Sequence, residues 1–419
     1  MAQSLTLDGG RWPKFLSFFS GVGMMAASIL TIRHYFLANY PESIFEGSFC
    51  DINAFFNCDS SAFSSISAVL GIPLGFFGLI VGALVVLGVL FPSESFERSN
   101  AFIAFLNVLG VFALLFYSVF VMGSLCLLCT GFYAFSLFSF FLFWKFGVGR
   151  GGRSAFLRFF RPSLKMLITF ACITAFAAYG MILYHDAKKD AQTAVTLRII
   201  KQFRDLPVVG NPSIISPYWT VRSTEYFEDA PIQIIEYSDF LCPDCLFLAQ
   251  EFDRLKEEFA GKINIAFQFF PLEGLCNTVA LEKDIHSGAC ELAYIAAYDP
   301  AQFVAIHDDI FSNFNAARRP EWRQELAMKY GVEQAFDDPV THDIVKSIAD
   351  TGMEYEKTSD KFTYGIRSTP TMIINGRMII GTLPYEQLRA IFQDLVEEHE
   401  GRSRFIERWV PPKARKVKR

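Results

Sequence analysis

From Ser99 to Trp144 the chain runs 46 residues without an Asp, Glu, Lys or Arg. A helix needs about 20 apolar residues to cross a bilayer, so this stretch holds two spans with a turn near Gly123-Ser124. A soluble helix would carry charges on its outward face, and these segments have none. Another 34 such residues separate Asp59 from Glu94, enough for one span, and Phe15–Thr31 and Met166–Tyr184 supply one each. Five membrane helices are expected, four of them forming one bundle.

Charge sets the remainder apart. Residues 1–185 carry 7 acidic and 10 basic side chains, whereas residues 186–419 carry 36 and 28, the balance of a soluble domain. A net charge of −5 gives no reason to expect nucleic-acid binding. Lys145–Lys165 has six basic residues and no acid, which places it in the cytoplasm. The Tyr40–Ser65 loop holds Glu42, Glu46, Asp51 and Asp59 without a base, which places it outside. Five spans then leave the N-terminus cytoplasmic and everything after His185 outside. A cleaved signal peptide is the rival for the first span, since Arg11 and Lys14 precede an apolar run; the later loops fit only if that span stays. The expected organisation is a membrane domain at 1–147, a loop and fifth helix at 148–185, a linker at 186–219, a soluble domain at 220–400 and a basic tail at 401–419. The tail segment Trp409–Arg419 is expected to be solvated, with anionic lipid its alternative partner.

Eight of the nine cysteines fall in close pairs: Cys50 with Cys58, Cys126 with Cys129, Cys242 with Cys245 and Cys276 with Cys290. All eight lie on or near the outer side, where disulfides persist. Four structural staples are the plain reading, but two pairs are CxxC, a spacing typical of exchangeable disulfides. One zinc site shared by both is disfavoured, because they sit 113 residues apart across a span. Cys172, inside the fifth span, reads as a small buried apolar residue.

Ile232–Ser238 reads as a buried strand, and Leu248, Phe252, Leu255 and Phe259 mark one face of the helix that follows Cys242-Pro243-Asp244-Cys245. A CxxC between strand and helix meets free N–H groups and a partial positive charge, which favour the thiolate of Cys242, taken as the exposed attacking sulfur. Asp244 opposes that effect, so Cys242 is expected to be less acidic than in a CPHC sequence. Further on, Ile263–Pro271 is a second strand and Thr371–Gly381 a hairpin turning at Asn375-Gly376, just after Thr369-Pro370. Cys276 and Cys290 close a loop of 14 residues, a staple worth about 3 kcal/mol in the chain-entropy model, with a second exchange centre as the other reading.

This order of elements, with CPDC, Thr369-Pro370 and a helical insert at Gly274–Thr363, resembles the DsbA-like thioredoxin-fold thiol oxidases over Pro231–Val396. The resemblance implies that Pro370 is cis and packs on the CxxC, that Thr369 offers backbone hydrogen bonds to an extended substrate, and that Cys276–Cys290 is a structural disulfide.

Residues 15–145 resemble the vitamin K epoxide reductase family. The residues that carry it are Cys50 and Cys58, Ser64, Gly71-Ile72-Pro73, and Cys126-Leu-Leu-Cys129 with Tyr133 four residues later. Bacterial members are often fused to a thioredoxin-like domain, as here. The resemblance implies a four-helix bundle in which Cys126 and Cys129 form the quinone-side centre, with Cys129 facing a ubiquinone or menaquinone. Cys50 and Cys58 are the shuttle, Cys58 exchanging with Cys126 and Cys50 with the soluble domain. Ser64 hydrogen-bonds a quinone oxygen; Ser65 is its neighbour, and a serine there is also a common helix cap. Tyr133 is a quinone contact or an interfacial aromatic anchor. No polar contact from Gly71–Leu90 is evident. The implied protein is a thiol:quinone oxidoreductase of the bacterial inner membrane with its soluble domain in the periplasm. It forms disulfides in reduced exported proteins. The linker then has to let that domain swing. A reductase or isomerase running the other way, and a chaperone-like tether with structural cysteines, are the alternatives; transport is disfavoured by the lack of an internal repeat.

Overall fold

In the computed structural model the described residues are 11–44, 58–64, 66–146, 161–278, 285–356 and 365–401, without the side chains of 59–60 and 192–194. Cys50, Ser65, most of the basic loop after Lys145 and the tail lie outside them. The chain forms two compact units, the first largely residues 1–190 and the second largely 191–419.

The first unit contains α1 (Arg11–Asn39), α2 (Asp59–Phe63), α3 (Leu74–Leu90), α4 (Glu94–Phe116, continued by a π-helical turn at Tyr117–Met122), α5 (Leu127–Phe146) and the start of α6 (Leu164–Asp205). Its side chains are sorted inside out. Phe15, Leu109, Phe112, Phe120 and Phe176 face outward, while Ser17, Ser20, Ser28, His34, Asn100, Ser118 and Ser136 are buried. Buried polar groups bond across helices: Ser20 Oγ donates to Phe135 O at 2.9 Å and Asn100 Nδ2 to Leu84 O at 2.7 Å. Such sorting suits hydrocarbon as solvent. Glycine lets α1 and α3 approach, since a Cβ on Gly82 would stand 2.9 Å from Gly21 O.

Among the described residues four helices are long and apolar enough to cross a membrane: Arg11–Asn39, Glu94–Met122, Leu127–Phe146 and Leu164–Ala191. The fifth apolar segment gives only 17 residues, Leu74–Leu90. It starts late because Ala68–Val69 (β1) pairs with Ile72–Pro73 (β2) through Leu70 and Gly71, both at positive φ. At 1.5 Å per residue α3 spans roughly 25 Å, slightly short of a hydrocarbon core. Cys172 is exposed on α6, not buried. In a helix facing lipid, an apolar side chain belongs on the outside.

The second unit holds β3 (Trp219–Val221), β4 (Ile232–Ser238), α7 (Pro243–Glu258), β5 (Ile263–Phe269), the insert helices α8 (Ala289–Tyr298), α9 (Phe303–Ser312), α10 (Pro320–Tyr330) and α11 (Pro339–Asp350), the hairpin β6 (Thr371–Ile374) and β7 (Arg377–Ile380), and α12 (Tyr385–His399). The sheet order is β3-β5-β4-β6-β7, with β4 and β5 parallel and the other pairs antiparallel. Asn375 and Gly376 turn the hairpin at φ 45° and 75°, as the two-residue connection requires. β5 is buried throughout and β4 nearly so, covered on one face by Leu248, Phe252 and Leu255 of α7 and Leu388, Ile391 and Phe392 of α12.

The stretch expected as a linker is structured. α6 continues to Asp205, and its Ile199, Ile200 and Phe203 are buried in the core of the second unit beside Phe252 and Leu388. Arg204 Nε donates to the buried Asp394 carboxylate at 2.7 Å, and Arg204 also pairs with Glu398. Val208 then bridges Arg377 on the sheet edge. The four-residue spacing of Val195, Ile199 and Phe203 was a helix-face signal hidden among charged residues.

Candidate functional site

Within the first unit, Cys126 precedes α5 and Cys129 lies in its first turn, so one turn of helix holds both sulfurs on one side. Both are free thiols, and Cys129 N donates to Cys126 Sγ at 3.2 Å. Cys58, at the N-cap of α2, is fully buried and disulfide-bonded. It packs directly with Cys126, with Cys129 at the edge of the same cluster. Cys50 lies outside the described residues.

All three sulfurs line a cavity of ≈ 310 Å³. Ser64 and Tyr133 line it too. Tyr133 is buried one helical turn beyond Cys129. Ser64 caps the end of α2 and donates its hydroxyl to Ser61 O at 3.0 Å, so the capping role and the cavity-facing position coexist in one residue. Other polar walls come from α1 through Ser28, Thr31, His34 and Tyr35, and from α4 through Asn107 and Ser118. Sequence reasoning passed over His34 and Asn107. An asparagine inside the apolar run of α4, and a histidine just past that of α1, were the available signal.

In the second unit Cys242 is the N-cap of α7 with Pro243 at its first position. Cys245 is fully buried, and Cys242 is only 5% exposed, so the nucleophile expected at the surface is the less buried sulfur of a buried pair. The Thr369–Pro370 peptide is cis, and Cys242 Sγ donates to Thr369 O at 3.4 Å. Thr369 and Cys242 are thus in contact from opposite ends of the domain sequence.

Burial pushes the Cys242 thiol well up from its usual value, with Cys245 adding to the rise and Asp239 next. Asp239, three residues before the motif, is thus an acid that opposes the thiolate of Cys242. Asp239 is completely buried, its N–H donating to Cys245 Sγ at 3.5 Å. Its carboxylate accepts from Leu241 N and Leu272 N, both at 2.6 Å, and pairs with His286 Nδ1 at 2.8 Å. One side chain therefore ties the loop before the CxxC to the strand end after β5 and to the insert.

Glu236 on β4 is a second buried acid near the motif. Burial raises it from 4.5 to about 7. A carboxyl raised in the fold stabilises it fully only below its ordinary range, so stability falls as pH climbs from about 4.5 to about 7 and is flat above, a change of roughly 3 kcal/mol. Glu236→Gln is expected to remove that slope and to make the domain more stable than wild type at pH 8. Hydrogen exchange of the β4 and β5 amides at pH 5 and pH 8 measures it, and equal slopes in both proteins would reject the assignment.

Cys276 and Cys290 form a disulfide with Cα atoms 5.9 Å apart, buried in the insert core. Glu273 holds the far side, accepting from Gly288 N and Cys290 N at 2.9 and 2.8 Å. Among the described residues no cluster of His, Cys, Asp and Glu could hold a metal ion.

Residues 14–144 match the vitamin K epoxide reductase family, and residues 227–394 match a thioredoxin family. The probable disulfide bond formation protein D of Bacillus cereus is 27% identical over 36% of this chain and 68% of its own length. Disulfide bond formation protein D of Bacillus subtilis is 23% identical over 39% of this chain and 71% of its own. Among solved structures, Wolbachia pipientis α-DsbA1 aligns at 16% identity over 49% of this chain and 98% of its own, with a TM-score of 0.33. The catalytic domain of Proteus mirabilis ScsC aligns at 14% over 48% and 98%, with a TM-score of 0.32.

Proposed function

Because this chain joins a membrane domain of the vitamin K epoxide reductase family to a thioredoxin-like, DsbA-like domain, we propose that it is a thiol:quinone oxidoreductase that forms disulfides in exported proteins. Thiol–disulfide oxidoreduction is the chemistry common to both parts. The observation that carries the finer reading is the bonded Cys58 packed on the free Cys126–Cys129 pair, all lining one cavity.

A substrate dithiol attacks the Cys242–Cys245 disulfide, and the resulting dithiol reduces Cys50–Cys58 by exchange through a mixed disulfide. Cys58 then attacks Cys126, releasing Cys129. Thr369 supplies the backbone edge for an extended substrate beside Cys242. The cavity fits an apolar quinone ring: Pro73, Leu74, Phe77, Val111, Leu114 and Phe132 give it apolar walls, and Ser64, Tyr133 and Asn107 offer hydrogen bonds. A bound quinone supplies the two-electron acceptor; the protein's part is to orient it beside Cys129 and exclude water. Fusion places the soluble domain at high effective concentration near its acceptor.

In this reading α3 is a fifth span, the N-terminus is cytoplasmic, and the cysteine pairs share the periplasmic side of a bacterial inner membrane. Purified full-length protein mixed anaerobically with a reduced dithiol peptide and ubiquinone or menaquinone is expected to yield quinol and oxidised peptide in equal amounts. Net flow from quinol to a disulfide peptide would establish a reductase, and no flow either way a non-enzymatic tether.

A further inference from the structure

We propose that His34 is the proton carrier of the membrane site, taking the proton of Cys126 as the Cys126–Cys129 bond forms and delivering it to the acceptor; this rests on the quinone reading above. Among the described residues the cavity walls include no Asp, Glu, Lys or Arg. Their titratable side chains are the Cys126 and Cys129 thiols, Tyr35, Tyr117, Tyr133 and His34. Of these only histidine both gains and loses a proton readily near neutral pH. His34 is 6% exposed in the last turns of α1, next to Arg33 and just past the apolar run Phe15–Thr31. It stands on the stripe Ser28, Thr31, His34 and Tyr35 that α1 turns into the cavity, and Cys126 lines the same cavity.

The chemistry needs such a group. Closing the disulfide removes two electrons and two protons from the two thiols, and the acceptor takes up both pairs to become quinol. As the S–S bond forms, both S–H bonds break and two electrons pass to the acceptor; Cys129, which faces the acceptor, gives up its proton there directly, and the proton of Cys126 needs a carrier. A neutral His34 accepts that proton and gives it to an acceptor oxygen, returning to its starting state. Atoms and charge balance without any further reactant. The thiols themselves cannot substitute, because each is consumed in the bond that forms.

Two measurements on the full chain in nanodiscs test this, and the first does not depend on turnover. In a Cys58→Ser, Cys129→Ser background, which leaves Cys126 no partner in the buried cluster, alkylation of Cys126 by iodoacetamide is followed by mass spectrometry between pH 5 and 9, with and without His34→Gln. The expected result is alkylation at pH 7 slowed about tenfold by His34→Gln, with loss of the inflection that the histidine adds to the profile. Superimposable profiles overturn the proposal. The second uses wild type carrying ¹³C-histidine: the His34 titration midpoint is expected to differ between the Cys126–Cys129 dithiol and disulfide. An unchanged midpoint overturns it even where His34→Gln fails to fold. In Cys129-intact protein, His34→Gln is also expected to slow quinone reduction about 10²-fold with little change in quinone KM. Should Cys129→Ser keep full quinone reduction, the quinone reading falls on its own, while the alkylation comparison still decides the coupling of His34 to Cys126.

Discussion

Quinone reduction is expected to fall by about 10³-fold or more in Cys129→Ser, because in the proposed relay the lost sulfur is the one that passes electrons onward. Cys58 and Cys126 pack together in the buried cluster, with Cys129 half-buried at its edge and on the cavity wall. Serine keeps the helix turn and the size of the side chain, so the cavity and the Cys58 contact survive the change. What disappears is the thiol that resolves Cys126. The variant should therefore accumulate a Cys58–Cys126 disulfide, with Cys50 released as a thiol when Cys126 attacks Cys58 and no Cys129 thiol left to displace Cys58 from Cys126. Peptide mapping under non-reducing conditions detects that bond directly. Residual activity above about a tenth of wild type, or the absence of the trapped bond, would remove Cys129 from its assigned position.

The parts of this arrangement that were readable in the sequence are those governed by short-range rules. Ile232–Ser238 is a strand with the bounds its apolar run implies, and Asn375-Gly376 turns a hairpin because few other dipeptides tolerate two positive φ values. The apolar runs likewise gave four helices long enough to cross a membrane. Elements set by distant partners were not readable. The helix through Ala191–Asp205 looks like a charged linker until α12 supplies Asp394 for Arg204 and an apolar seat for Phe203. Asp239 looks like a turn residue until His286, 47 positions away, meets its carboxylate at 2.8 Å. Cys172 was assigned by the rule for water-soluble cores, which a lipid-facing helix inverts. His34 was passed over for a different reason: a single histidine has no spacing, and only the cavity shows what it faces.

Cys242→Ser separates the two halves of the proposed pathway more sharply than any change in the membrane domain. With a reduced peptide as donor, quinone reduction should drop by about 10³-fold or more, because Cys245 is completely buried and cannot take over the attack. With a small dithiol as donor, able to reach the Cys50–Cys58 pair directly, the rate should stay within about twofold of wild type, since nothing in the first unit has changed. The companion variant Cys245→Ala keeps the accessible sulfur and removes the resolving one. It should hold substrate as a mixed disulfide on Cys242, next to the Thr369 carbonyl that Cys242 Sγ contacts at 3.4 Å. The pair of results discriminates between mechanisms that a single loss of activity would merge. If the peptide reduced the shuttle cysteines without the soluble domain, Cys242→Ser would be as fast as wild type with both donors, and the thioredoxin-like domain would need another task. If instead the change slowed both donors equally, the loss would come from damage to the whole chain, and it would say nothing about the order of transfer. Only the split, fast with the small dithiol and slow with the peptide, requires electrons to enter through Cys242 and leave through the membrane.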